Sequence, residues 1–592
     1  MKKSFIWIYS RTLFDAKTES YNENRLLAGL LMVVLAFRMI GITYGLPATY
    51  NSTEYYIAKQ ALAIGARHSL EPLFYVYPSF YIYLIAIMGG LLFLGGWLLG
   101  YFHSPEDFAF QFLVNPTFFY FSGRLISALF FVGTVYWLYR TLRFYLPFRI
   151  TLLLIAFFLF SWNVQFFTFW MVPDSFLILG TAITTYLVVR VYHHPHQQHL
   201  LLLAAFIAGL TVSAKYTAGF LPLMPLVAIW GYANLRHRWR YTSATFFLTG
   251  IGFLLGTPYW LLRFRQYVLG VQTLLTQSSV DWNTQAGFPI IWELRNLVLS
   301  DWGMGILVIL ALFLSFYTLL HRHRWAFPMG AVVIPTFVIV SLMQKKGLDY
   351  LLVIFPLSLA LIGGWLSHSP WARTHELRLI RWGTLLVLPG IILVGHFKLQ
   401  QTQPDTRQLA SQWIQKNIPP NSLLCYDNYH FDLTLLDIER LTHRGYGARF
   451  LSSKLKHRLK QLMNRPDVYR FTAIRHQLEL PQWPPQFSPQ QLVSFMTNPF
   501  LVEAYQHPFK TLNDLQDEGV EWLIVNGEWA SKFRQIIRLQ PDNPLYPLYQ
   551  TKVTFYNTLF RHYRPVTVFQ PDWRHPGPPI FIFAIKLPSY RE

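Results

Sequence analysis

Glu54 and Asp174 are carboxylates set beside long apolar segments, and Arg38, Arg124, Lys215, Lys345 and Lys346 are cations in the same kind of setting. A carboxylate there can take a proton from a substrate or hold a metal ion. Arginine grips phosphate as a fork and lysine as a point charge. Ionisable side chains at or within membrane segments are costly, so they mark function by default. Tyr75, Tyr77, Tyr81 and Tyr83 follow Glu54 in sequence and offer rings for stacking on a sugar. Each residue also has a plainer reading. Glu54 suits the first turn of a helix through the macrodipole, Asp174 suits a helix cap after Pro173, and Arg38 can snorkel to an interface. Arg124, Lys215, Lys345 and Lys346 can anchor segment ends, and tyrosines favour the bilayer boundary.

The elements that must position these groups are apolar. Of 592 residues, 53% are hydrophobic and 13% charged, with a mean hydropathy of +0.28. A soluble domain carries about a quarter charged residues. The chain is thus expected to be a polytopic membrane protein, with its 50 Phe, 34 Tyr and 20 Trp in part at bilayer interfaces. The net charge of +21 reads as anchoring of cytoplasmic loops to anionic lipid, and not as a nucleic-acid footprint. A single cysteine, Cys425, excludes an internal disulfide framework and a cysteine-based zinc site. Residues 1–25 are basic and lack a small-residue cleavage site, which predicts a retained cytoplasmic tail.

Runs of roughly 20 apolar residues cross a bilayer core of ~30 Å. Candidate spans are 26–46, 118–139, 151–169, 174–190, 200–213, 217–235, 243–262, 303–320, 327–343, 349–367 and 380–398. If 78–100 is an interfacial or re-entrant helix, the basic clusters around Arg140, Arg238, Arg324 and Arg378 all fall on the tail's side. If it crosses, all four fall on the other side. This predicts a membrane domain over 26–398 with a long first external loop, 47–117, and an extracytoplasmic domain over 399–592. That last region turns polar and proline-rich. It reads as a small mixed α/β domain with helices at 405–417, 450–463 and 510–518 and strands at 422–427, 520–526 and 579–586. It has no phosphate-binding glycine loop and no nucleophile elbow.

The first loop also carries a family resemblance. Leu46, Pro47, Tyr50, Glu54 and the closing run Tyr77 to Tyr83 resemble the first external loop of GT-C type membrane glycosyltransferases, the superfamily of protein O-mannosyltransferases and aminoarabinose–lipid A transferases. Asn51, Ser52 and Thr53 stand where that loop has His, Pro and Asp. Ser122 to Ala128, Pro173-Asp174, Ala208 to Tyr216, Thr257 to Tyr259 and Asp405 to Pro419 resemble further family segments in the same order. Asp349-Tyr350 falls where the family often has Arg-Tyr.

The resemblance implies an α-helical polytopic fold of the GT-C type with a small C-terminal α/β domain, in the cell (inner) membrane. It implies transfer of a sugar from a polyprenyl-phosphate donor to an acceptor glycan, lipid or protein at the outer face, with inversion at the anomeric carbon. Glu54 and Asp174 would be the catalytic acids. Arg38, Arg124, Lys215, Tyr216, Lys345, Lys346, Tyr77 and Tyr81 would bind the donor. Membrane lipids are the other expected partner. No metal site is assigned, and a divalent ion is left open as a cofactor. Thr53 and Asp349 prompt one alternative, a non-catalytic lipid-binding or assembly protein. A lipid-linked glycan transporter is the other, although no inverted repeat is visible.

Overall fold

The computed structural model describes residues 16–72, 75, 77–231, 237–279, 289–321, 323–343, 347–427, 452–465, 469–473, 510–539 and 546–585. Five helices are long and apolar enough to cross a membrane: Phe80–Leu98, Thr117–Leu142, Asp174–His193, Trp302–Leu320 and Glu376–Gln400. Shorter apolar helices, among them Leu200–Val212, Phe327–Leu342 and Ile354–His368, pack against them. Their shared core includes Phe131, Phe158, Leu177, Ala204, Val308 and Phe355. The chain is a helical membrane protein.

Several predicted spans are interrupted rather than continuous. The 151–169 span divides into Phe148–Leu159 and Trp162–Phe167 because the Ser161 hydroxyl caps the second piece, accepting from the Val164 N–H at 3.2 Å. The 243–262 span becomes Arg238–Gly256 and Tyr259–Leu262, parted where Pro258 cannot donate to the preceding turn. The 349–367 span opens as a short 3-10 turn, Leu348–Leu351, before Ile354–His368. Non-helical backbone is tolerated at membrane depth only where protein or a polar cavity surrounds it. The Ser213, Thr257 and Asp349 breaks all converge on one end of the bundle. The Ser213 carbonyl accepts from the Phe80 N–H at 3.1 Å, and the Thr257 hydroxyl accepts from the Ser79 N–H at 3.2 Å.

The helix Ala16–Met39 runs from the other end of the bundle, where Glu23 pairs with Arg143 at 2.6 Å, to this one, where it delivers Arg38. Over it lies the amphipathic helix Ser52–Arg67. Its Ile57, Ala61 and Ile64 pack with Tyr81, Ile85 and Met171. Phe80–Leu98 runs antiparallel to Thr117–Leu142. The Tyr81 hydroxyl meets Ser127 at 3.0 Å, and Gly89 sits against the Phe119 ring. At 1.5 Å per residue, the second half of Phe80–Leu98 therefore projects beyond the first residues of its neighbour. The following helix, Pro105–Val114, then docks on Ser453–Met463 through Leu113, Leu455 and Leu459, and Asp107 accepts from Arg458 at 2.8 Å.

The C-terminal region contains a five-stranded sheet among the described residues. Its strands are β1 (Leu423–Tyr426), β2 (Arg470–Ala473), β3 (Trp522–Asn526), β4 (Thr567–Phe569) and β5 (Ile580–Ala584), in the order β2-β1-β3-β5-β4. β1 is parallel to β2 and β3, with Cys425 opposite Thr472 and Leu523, while β5 is antiparallel to both its neighbours. Alternation along the strands gives two buried faces. Leu523, Val525 and Phe583 pack under Gly527–Leu539 and Tyr546–His562, and Leu424, Ile524 and Ile582 pack under Thr406–Asn417. The six elements expected here from sequence are present with bounds shifted by up to three residues. β2, β4 and the helices Gly527–Leu539 and Tyr546–His562 were not anticipated.

Candidate functional site

The first loop is folded around one guanidinium. After Met39 the chain turns through Gly41 and Gly45, both at positive φ of 71° and 73°, where a side chain would be strained. A Cβ on Gly45 would also lie 2.4 Å from the Tyr50 ring. These turns aim the Ile42 and Tyr44 carbonyls at Arg124 Nη1, which donates to them at 2.8 and 2.7 Å. Asn51 then caps the helix Ser52–Arg67, accepting from the Thr53 N–H at 2.9 Å and the Glu54 N–H at 3.4 Å. Glu54 points inward from the first turn. It accepts from Arg124 Nε at 2.8 Å, from Arg124 Nη2 at 2.7 Å and from the Met171 N–H at 2.6 Å. Trp170 and Phe169 cover the guanidinium, with ring centroids at 4.8 and 5.5 Å. The Glu54 and Arg124 side chains have no exposure. Deleting one partner of such a pair costs about 3–5 kcal/mol. In this arrangement Glu54 and Arg124 join the first loop to the bundle, and both are sealed from solvent.

A second ionic group lies at the same end. Asp174 opens the helix Asp174–His193 directly after Pro173. Lys215 stands in the break between Leu200–Val212 and the 3-10 turn Tyr216–Ala218. Its Nζ donates to Asp174 Oδ1 at 2.6 Å and to Asp349 Oδ2 at 2.9 Å, with the Tyr350 ring at 5.5 Å. The Lys215 and Asp174 side chains are nearly sealed, at 6% and 11% exposure, while Asp349 is open at 26%. The group therefore has one accessible side, and Asp349 marks it. Burial pushes the Tyr77 phenol up, the Lys215 charge opposes this, and the Asp349 and Asp174 charges add to it. The Tyr216 hydroxyl is buried, with no hydrogen-bond partner among the described residues. Tyr81 is used internally: its hydroxyl meets Ser127, which in turn accepts from Ser175 at 3.2 Å beside Asp174.

Arg38 is placed elsewhere. It donates to Gln165 Oε1 at 2.8 Å and to the Thr168 carbonyl, and lies over the Phe131 ring at 4.5 Å. It thereby braces the chain before Pro173. Lys345 and Lys346 lie outside the described residues.

Three features escaped sequence reasoning. Asp349 drew notice only as a departure from an expected arginine, yet it completes the Lys215 group. Lys398 is buried on Glu376–Gln400 against the Phe169 ring at 4.7 Å, hidden in an otherwise ordinary apolar span. Asp405 accepts from the Tyr44 hydroxyl at 2.6 Å and from Arg407 Nε at 2.7 Å, and Arg407 covers the Tyr50 ring at 3.3 Å. That contact clamps the first loop to the C-terminal domain. Its sequence signal was the capping box that Asp405 and Gln408 form at the start of Thr406–Asn417.

Among the described residues no three His, Cys, Asp or Glu side chains converge as a metal-holding group. Between Asp174 and Asp349 the position a divalent ion would occupy is taken by the Lys215 ammonium. As arranged, this donor set does not fit a metal.

Residues 117–272 match the family model described as dolichyl-phosphate-mannose-protein mannosyltransferase. The matched span holds Arg124, Asp174, Lys215 and Tyr216, so the resemblance read from the motifs is met across them. None of the curated proteins matches the chain. Among solved structures, ArnT from Cupriavidus metallidurans bound to undecaprenyl phosphate is 13% identical with a TM-score of 0.49, over 96% of this chain and 98% of that one. The oligosaccharyltransferase AglB from Archaeoglobus fulgidus, in complex with an inhibitory peptide and a dolichol-phosphate, is 11% identical with a TM-score of 0.46, over 88% and 72%. The Archaeoglobus fulgidus oligosaccharyltransferase in complex with zinc and sulfate is 11% identical with a TM-score of 0.44, over 87% and 70%.

Proposed function

We propose that the chain is a membrane glycosyltransferase that moves a sugar from a polyprenyl-phosphate donor to an acceptor at the outer face of the membrane. The observation that supports this best is the Lys215 ammonium held between Asp174 and Asp349, with two of the three residues inside the matched family span. Asp174 is the base. It takes the acceptor's proton as the acceptor atom bonds to the anomeric carbon. The bond from that carbon to the phosphate oxygen breaks on the opposite side, and its electron pair leaves with the polyprenyl phosphate. Lys215 turns from Asp349 to neutralise the leaving charge. Displacement in one step inverts the anomeric carbon, as the resemblance implies. Glu54 and Arg124 orient the loop that closes over this centre.

In this reading the tail before residue 26 is cytoplasmic. The segment 47–117 and the domain from 399 lie outside together, a reading supported by the contact of Pro105–Val114 with Ser453–Met463, which puts the two on one side. The antiparallel offset of Phe80–Leu98 supports its placement as a juxtamembrane helix, although by length and composition it is able to cross.

The test is turnover of a panel of polyprenyl-phosphate sugars by the protein in lipid, with and without divalent metal. Native turnover that Asp174→Asn lowers by about 100-fold or more, with donor binding kept, is expected. Saturable donor binding without turnover of any donor would overturn the catalytic reading in favour of a lipid-binding role.

A further inference from the structure

A cavity of about 470 Å3 opens between the first loop and the C-terminal domain, away from the Lys215 group's own side chains. Thr43, Tyr44 and Gly45 form one wall. Gln401, Gln403, Gln408, Gln412 and Gln415 furnish most of the other, from the end of Glu376–Gln400 and one flank of Thr406–Asn417. Its size lies within the roughly 300–1,000 Å3 of small-ligand sites.

The lining carries a distinct chemistry. No charged side chain is among its described residues, so it lacks the fork or ammonium that phosphate recognition uses. Instead it concentrates glutamines, whose amides carry one acceptor oxygen and two donor hydrogens; the Gln408 oxygen already accepts from the Asp405 N–H at 3.1 Å and Gln403 donates to the Thr402 hydroxyl at 3.4 Å, while Gln412 and Gln415 stand exposed on the same flank. A sugar hydroxyl also donates and accepts, and neighbouring hydroxyls on a ring match an array of amides. The Gln401 amide lies sealed behind this lining, and among the described residues neither its oxygen nor its nitrogen has a hydrogen-bond partner. An unpaired buried amide is costly. A peptide would call for a strand edge or apolar side-chain pockets, and this lining supplies neither.

The wall is also mechanically joined to the site. The Tyr44 carbonyl accepts from Arg124, which holds Glu54, and the Tyr44 hydroxyl donates to Asp405 at the start of Thr406–Asn417. We infer that this cavity binds a neutral, polyhydroxylated carbohydrate: the glycan portion of the acceptor. The assignment rests on the transferase reading, while its binding chemistry can be tested separately.

The experiment measures binding to the full chain in lipid nanodiscs by saturation-transfer NMR. The probes are mannotriose, maltotriose, a uronic-acid trisaccharide and a Gly-Ser-Gly tripeptide. Gln412 and Gln415 are exposed on the helix, so their replacement leaves the fold intact. Native protein is expected to bind a neutral trisaccharide, and Gln412→Ala/Gln415→Ala to bind it about tenfold more weakly, the loss expected for roughly two hydrogen bonds. Hydrolysis of the polyprenyl-phosphate donor without any glycan is expected at native rate in that variant. Preference for the uronic-acid probe or the tripeptide, no binding of either neutral trisaccharide, or unchanged binding in the variant would each overturn the inference. Donor affinity that falls while trisaccharide binding stays would reassign the cavity to the donor's sugar. Absence of donor turnover in native protein would instead count against the transferase reading alone.

Discussion

Glu54→Gln separates a residue that holds the loop from one that performs chemistry. The native carboxylate accepts three hydrogen bonds, two of them from Arg124, inside a site with no solvent exposure. The amide keeps one acceptor oxygen but sets an NH2 donor either against Arg124 Nη2 or against both Arg124 Nε and the Met171 N–H. Arg124 is then left as a buried cation without its counter-charge. Breaking one side of a buried pair costs about 3–5 kcal/mol, and the retained oxygen places this change near 3 kcal/mol, or about 100-fold in the opening equilibrium. Hydrogen exchange in lipid reads that equilibrium directly. Peptides covering 41–67 and the Met171 amide are expected to exchange about 100-fold faster than in native protein. Arg124→Met leaves Glu54 unpaired in turn. The double variant should therefore be less perturbed than the sum of the single changes, with a coupling of about 2 kcal/mol or more. Unchanged exchange together with turnover lost as completely as in Asp174→Asn would refute this reasoning and make Glu54 a reactive group.

Three further outcomes follow from the ionic groups. Lys215→Met should weaken donor binding by about 100-fold while Lys215→Arg restores part of it, as titrated with a labelled polyprenyl-phosphate sugar; equal affinity in the methionine variant would remove Lys215 from the donor site. Asp349→Asn takes away the carboxylate that competes with phosphate for Lys215. Relieving about 1 kcal/mol of repulsion should tighten donor binding about fivefold, and weaker binding would show that Asp349 contacts the donor favourably. In the C-terminal domain, burial pushes the Asp427 carboxyl up to about 7, despite donation from the Asn526 N–H at 2.9 Å and the Tyr556 hydroxyl at 2.8 Å. The folded state then holds a proton that the unfolded chain releases near pH 4, so stability should fall as pH rises from about 4 to about 7 and level off above. The ceiling is about 4 kcal/mol, lowered because the residue as a whole is half-buried. Thermal unfolding followed by fluorescence should show a shallower pH slope for Asp427→Asn than for native protein, and equal slopes would exclude Asp427 as its source.

The residue order alone determined what kind of molecule this is. Long apolar runs and a low charge content make a helical membrane protein, because the bilayer core accepts few other backbones. Local pattern also located most span segments and six elements of the C-terminal domain, including the helix over 405–417 and β3, since helical and strand periodicity are encoded within a few residues. It singled out Glu54, Arg124, Asp174 and Lys215 as charges out of keeping with their surroundings. What it could not supply was their pairing. Arg124 meets Glu54 across 70 positions, and Lys215 meets Asp349 across 134, by contacts that exist only once the helices pack. Tertiary structure alone made Glu54 a sealed fastening, left Asp349 as the open edge of the Lys215 group, gave Arg38 to Gln165 and Thr168, and turned Tyr81 inward to Ser127. It also set the breaks at Ser161 and Leu348 inside runs that read as continuous spans. There the surrounding helices satisfy the freed backbone, and hydropathy averaged along a segment does not register the difference.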